Sequence, residues 1–211
     1  AFAIVGIHAY LTRFSGDSEV RRVRDILADQ LLQRFTDQAT EDWPWLENTV
    51  TYSNGSIPQA LLLSGQSMQR EDMIEMGLRS LNWLLKIQTT DGHFTPVGNN
   101  GWYPKGGTMA RFDQQPIEAN TMIDACVEAY NVTRDLYWIE SAVNCFNWFL
   151  GDNDLNMPLY DPKTGGCRDG LLANGINQNE GAESSLAWLL SLITIQKLNA
   201  DVILKQPTTN L

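Results

Sequence analysis

Long apolar runs are missing from the chain: nowhere do about 20 consecutive apolar residues occur, the length needed to span a bilayer. A basic n-region is missing too, since the opening Ala-Phe-Ala-Ile-Val-Gly-Ile-His carries no Lys or Arg and no initiator Met. Basic charge is scarce: 15 Lys and Arg face 25 Asp and Glu, a net charge of −10, which argues against nucleic acid or an anionic membrane as the main partner. Only two histidines and three cysteines are present, and Cys126, Cys145 and Cys167 cannot all pair with one another and lack zinc-ligand spacing. A reducing cytoplasm is the simplest setting for them. No phosphate loop, nucleotide fingerprint or EF-hand spacing occurs, so the sequence implies no cofactor and no metal. The sequons at Asn54 and Asn131 read as chance matches in a cytoplasmic chain.

What is present is helical periodicity. Apolar residues recur at helical spacing over roughly 2–14, 18–36, 54–65, 70–88, 117–132, 135–150 and 181–199, with no strand run punctuated as a hairpin. Asp17-Ser18 can cap the second block, Pro116 suits a helix start, and Gly151 suits a helix end. The fold class is therefore all-α, about seven helices in a single domain over residues 1–211.

The connections alternate in length. Short turns at 15–17, 65–69 and 132–135 pair the blocks into αα-hairpins, while long loops run over 37–53, 89–116 and 151–180. Loops of that length are uncommon in a compact domain unless functional. The first and third blocks are nearly free of charge; the second and fourth are amphipathic. Inner helices at odd positions and outer ones at even positions follow, wound as an (α/α) toroid or an open part of one. All long loops then enter inner helices at the same end, on one face, where helix N-termini supply free N–H groups.

The loops are rich in residues that suit sugars. Aromatic rings rest on sugar C–H faces, and amides, carboxylates and Arg take directional bonds from hydroxyls. Candidate binding residues are Trp43, Trp45 and Glu47 from the first loop, and His93, Asn100, Trp102, Tyr103, Arg111, Gln114 and Gln115 from the second. Tyr160, Arg168, Asn179 and Glu183 follow from the third. Glycosidic hydrolysis needs two carboxyl groups. The favoured pair is Asp113 or Glu118 from the second loop with Asp169 or Glu180 from the third. Each has a structural alternative. Trp43 and Trp45 can pin their loop to the core, Asp91-Gly92 and Asp161-Pro162 can be turns, and Glu180 can serve helix-start electrostatics. Arg111 with Asp113, and Arg168 with Asp169, can be loop ion pairs.

Longer motifs carry a family likeness. They include Asp-Trp-Pro-Trp-Leu-Glu at 42–47, Ser-Asn-Gly-Ser-Ile-Pro-Gln-Ala at 53–60 and Gly-His-Phe-Thr-Pro-Val-Gly-Asn-Asn-Gly-Trp-Tyr-Pro at 92–104. Arg-Phe-Asp-Gln-Gln-Pro-Ile-Glu-Ala at 111–119, Leu-Tyr-Asp-Pro-Lys-Thr-Gly-Gly-Cys-Arg-Asp-Gly-Leu at 159–171 and Asn-Gln-Asn-Glu-Gly-Ala-Glu-Ser at 177–184 complete the set. Together they resemble the six-hairpin glycosidase-like domains found C-terminal to bacterial glycosyltransferases. The resemblance implies further helices ahead of residue 1, so three and a half hairpins leave the arc open, or a missing part or a second copy in a homo-oligomer completes it. It also implies a carbohydrate setting: a glycoside hydrolase-like enzyme on an oligosaccharide, or else a non-catalytic glycan-binding or scaffolding module for an attached or separate glycosyltransferase. A sugar epimerase is the weaker alternative, because such chemistry usually employs histidines and only His93 lies in a loop.

Overall fold

The computed structural model describes residues 1–205, with side chains to residue 198. The chain is all-α, with α1 Phe2–Arg13, α2 Ser18–Gln38, α3 Ser56–Met68, α4 Glu71–Ile87, α5 Pro116–Thr133, α6 Tyr137–Leu150 and α7 Ala182–Lys205. Local chemistry sets these bounds. The Asp17 carboxylate accepts from the Val20 N–H at 3.1 Å and starts α2, Pro116 occupies the first turn of α5, and Gly151 ends α6 at φ 109°. Gln69 and Arg134 end α3 and α5 in the left-handed conformation, a role glycine fills at lower cost.

Packing follows the difference in polarity between odd and even helices. α1 with α2, α3 with α4, and α5 with α6 form hairpins, and α1, α3, α5 and α7 pack side by side as an inner row. α3 and α5, apolar on most faces, are the most buried, and Ala60, Leu61, Leu62, Met122, Ile123 and Cys126 are fully enclosed there. The ends of the row, α1 and α7, expose apolar side chains: Phe2 and Tyr10 on one, Leu186, Leu189, Leu190 and Ile193 on the other. The three cysteines are free and buried. Among the described residues no helix is long and apolar enough to cross a membrane.

Six two-residue strands lie in the long loops, too short to leave a period in the sequence. β2 (Thr89–Thr90) and β3 (His93–Phe94) form a hairpin around Asp91 and Gly92, both at positive φ, so that dipeptide is a turn. β5 (Leu171–Leu172) pairs with β6 (Gly175–Ile176) in the third loop. The other ladder runs between loops: β1 (Thr49–Val50) of the first is antiparallel to β4 (Tyr103–Pro104) of the second. Gln114 and Leu171 exchange backbone hydrogen bonds at 3.1 and 2.9 Å, tying the second loop to the third. The three long loops are thus laced to one another.

Candidate functional site

A cleft of about 490 Å³ opens where the second loop, the third loop and the start of α7 meet. Its walls carry Asp113, Gln114 and Gln115 from one side, Asp169 and Asn177 from the other, and Glu183 and Ser184 from α7. Gly170 is required there, since a Cβ would stand 2.6 Å from the Gln114 carbonyl oxygen and force the two loops apart.

Asp113 sits at φ 58°, a left-handed conformation that costs a non-glycine residue energy. Its backbone carbonyl accepts from the Asn99 N–H at 3.1 Å, while among the described residues its carboxylate has no hydrogen-bond partner. Asp169 is the opposite case. Its carboxylate accepts from the Gly181 N–H at 2.6 Å and from Asn179 Nδ2 at 2.9 Å. Partial burial pushes its pKa up, but hydrogen bonds from Ser184, the Gly181 N–H and Asn179 outweigh that and hold the carboxyl below its ordinary value. Glu183 is exposed on the first turn of α7 and accepts from the Tyr52 hydroxyl at 2.8 Å. Burial, then that contact, raises the Tyr52 phenol to about 12.

Asp113, Gln115, Asp169 and Glu183 therefore converge on the cleft, with Asn179 behind Asp169; Gln114 borders it, but its amide is buried against Asp154 and Trp148. Glu118 does not reach it. Its carboxylate is fully buried at the start of α5, taking the Ser53 N–H at 2.5 Å, the Asn54 N–H at 3.3 Å and Asn54 Nδ2 at 3.0 Å. Burial raises its pKa to about 7 against the opposing pull of those bonds. It anchors the left-handed turn at Ser53 that leads into α3. Glu180 is also turned away, accepting from the Thr164 hydroxyl at 2.8 Å and lying 3.2 Å from Arg168.

The aromatic expectation needs correction. Trp43 and Trp45 are 5% and 1% exposed, which leaves no ring face for a ligand. Trp43 packs against Trp83 and Tyr103 at 4.9 and 5.1 Å, and its Nε1 donates to the Glu47 carbonyl at 2.8 Å. Trp102 is half-buried, and Tyr160 stacks on Trp188 at 5.1 Å. No aromatic ring lines the cleft. Glu47 and Asn100 are exposed away from it.

The arginines and His93 are also engaged elsewhere. Arg111 reaches Asp154 Oδ1 through Nε at 3.0 Å and Nη2 at 2.7 Å, His93 Nε2 lies 3.3 Å from the same oxygen, and Gln114 donates to the other. Arg168 donates to Asp161 at 2.7 Å and to the Gln178 carbonyl at 2.7 Å. Neither arginine takes the neighbouring aspartate that sequence proximity offered. The Asp154 side chain, completely buried, organises this side of the site. Sequence reasoning missed it because Gly-Asp-Asn-Asp after a helix reads as an ordinary polar turn. Tyr52, Asn99, Asn177 and Ser184 were missed as site residues too, although Asn99, Asn177 and Ser184 lie in the polar runs that marked the loops.

Among the described residues no group of three or more His, Cys, Asp or Glu side chains is placed to hold a metal ion. No family model and no curated protein matches the chain.

Proposed function

We propose that the chain is a carbohydrate-active domain of the six-hairpin glycosidase-like kind, an open (α/α) toroid that holds an oligosaccharide in the cleft between its second and third loops. The observation that carries this is the wall chemistry: amides, hydroxyls and carboxylates surround a space of about 490 Å³, and a polyol can satisfy all of them as donor and acceptor together. Two carboxylates from different loops face the same space, as glycosidic hydrolysis requires. Asp169, held ionised by its three hydrogen bonds, is assigned as base or nucleophile toward the anomeric carbon. Asp113, whose carboxylate has no hydrogen-bond partner among the described residues, is assigned as the second carboxyl of the pair. Neither histidine lines the cleft, which weighs against the epimerase alternative. A cytoplasmic setting beside a bacterial glycosyltransferase accords with the resemblance.

One observation favours a second reading. The Asp169 carboxylate is spent on capping the turn into α7, a structural role that a non-catalytic glycan-binding module also needs. Calorimetric titration with an oligosaccharide panel, followed by a reducing-end assay on whatever binds, separates the two. Asp113→Asn is expected to retain the fold and lower turnover at least a hundredfold. Binding without turnover in the wild type selects the module, and failure of every sugar to bind removes the carbohydrate reading.

A further inference from the structure

We infer that the cleft takes a glycan without negative charge and excludes acidic sugars such as uronic acids, sialic acids and sugar phosphates. The inference rests on the reading of the cleft as a sugar site. Its lining includes three carboxylates, those of Asp113, Asp169 and Glu183, with the amides of Asn99, Gln115 and Asn177, and among the described residues no Arg, Lys or His.

The cations nearest in sequence are committed to carboxylates outside the cleft. Arg111 presents both Nε and Nη2 to Oδ1 of the buried Asp154 side chain, two charge-assisted bonds on one oxygen. Arg168 divides its two terminal nitrogens between Asp161 on one side and Gln178 with Glu180 on the other. His93 turns to Asp154 as well. Freeing Arg168 takes the cation from Asp161, whose side chain is 17% exposed, and freeing Arg111 takes the guanidinium from the buried Asp154 side chain, leaving it to Gln114 and His93. The start of α7 offers little in compensation, because the Gly181 N–H already donates to Asp169.

An anionic sugar entering this space loses water and gains no counter-charge, while the three carboxylates repel it at short range. A neutral sugar meets no such barrier, since each hydroxyl donates to a carboxylate or amide oxygen and accepts from an amide N–H. Discrimination here comes from the repulsive element, placed where the attractive bonds would otherwise be equal for both sugars.

The test is calorimetric titration of the full chain with a neutral tetrasaccharide panel and with the uronate counterparts of the same linkage, at low and at high ionic strength. The neutral sugar that binds is expected to exceed its uronate counterpart at least tenfold at low salt. That gap is expected to shrink at high salt and in Asp113→Asn and Glu183→Gln, two carboxylates whose replacement leaves no buried donor unpaired. A uronate that binds as well as its neutral counterpart overturns the inference. So does a gap left unchanged in both variants, which assigns the repulsion to the net charge of −10 over the whole surface. If no oligosaccharide of either kind binds, the sugar-site reading itself fails.

Discussion

The first and third long loops began with equal claims on a ligand and ended with opposite roles. The first, rich in tryptophan, turned inward: Trp43, Pro44, Trp45 and Leu46 are all buried, and Trp45 meets Phe35 edge-on at 6.0 Å. The third, rich in Gly, Asn and Asp, sends Leu159, Cys167 and Leu171 into the core but keeps its polar residues outside, where they furnish one wall of the cleft. An indole that finds a neighbouring apolar surface gains the burial of its large apolar area and edge-on ring contacts, so the core takes it first. Aromatic content thus marked a loop that is well anchored. Polar, glycine-punctuated content marked the loop that is exposed and able to present side chains.

The contrast can be broken from either side. Replacing Trp45 with Ala is expected to cost about 3–5 kcal/mol, because the cavity opens among Phe35 and Trp83 where little can collapse. Urea denaturation measures it, and a loss below about 1 kcal/mol would return Trp45 to the list of surface residues.

Glu118 gives the next largest effect. Its folded pKa is raised from 4.5 to about 7, so the folded state binds the extra proton between those values. Its contribution is fully present below pH 4.5 and is lost as pH rises through about 7. A shift of that size corresponds to about 3 kcal/mol. The wild type should therefore lose stability relative to Glu118→Gln across that window, and parallel denaturation midpoints for the two proteins would show that burial does not govern this carboxyl.

Asp154→Asn probes how the second loop is held to the start of the third. It removes the charge that gathers Arg111, His93 and Gln114, at an expected cost of about 2 kcal/mol. Hydrogen exchange should accelerate in 111–115 but not in 43–47, and equal acceleration in both would mean that the laced loops open as one unit. The smallest effect belongs to Asp113→Gly. Relief of the left-handed backbone is expected to stabilise the fold by up to about 1 kcal/mol in urea denaturation. A destabilised glycine variant would show that the conformation is not strained.

The helices were legible because their signals are short-range. Asp17, Pro116 and Gly151 act within one turn, and the seven apolar blocks fall within a few residues of the helices except at the C-terminal end of α7. Six two-residue strands escaped notice because two residues carry no period. In the site, Asp113, Gln115, Asp169 and Glu183 were visible as a polar concentration, whereas Gln114 turned inward to Asp154 and Trp148. Glu118, five residues after Asp113, looked equivalent to it and is wholly buried.

The sequence by itself determined the all-α class, the pairing of helices into hairpins and the three loops in which any site must lie, since each depends on neighbours a turn or two away. Only the tertiary structure decided which carboxylate faces the cleft and which cation is already taken. Glu118 finds its donors 64 and 65 residues back, and Arg111 finds its partner 43 residues ahead. A buried charge takes whichever complementary group the packed helices bring within reach, and that choice has no trace in the order of the residues.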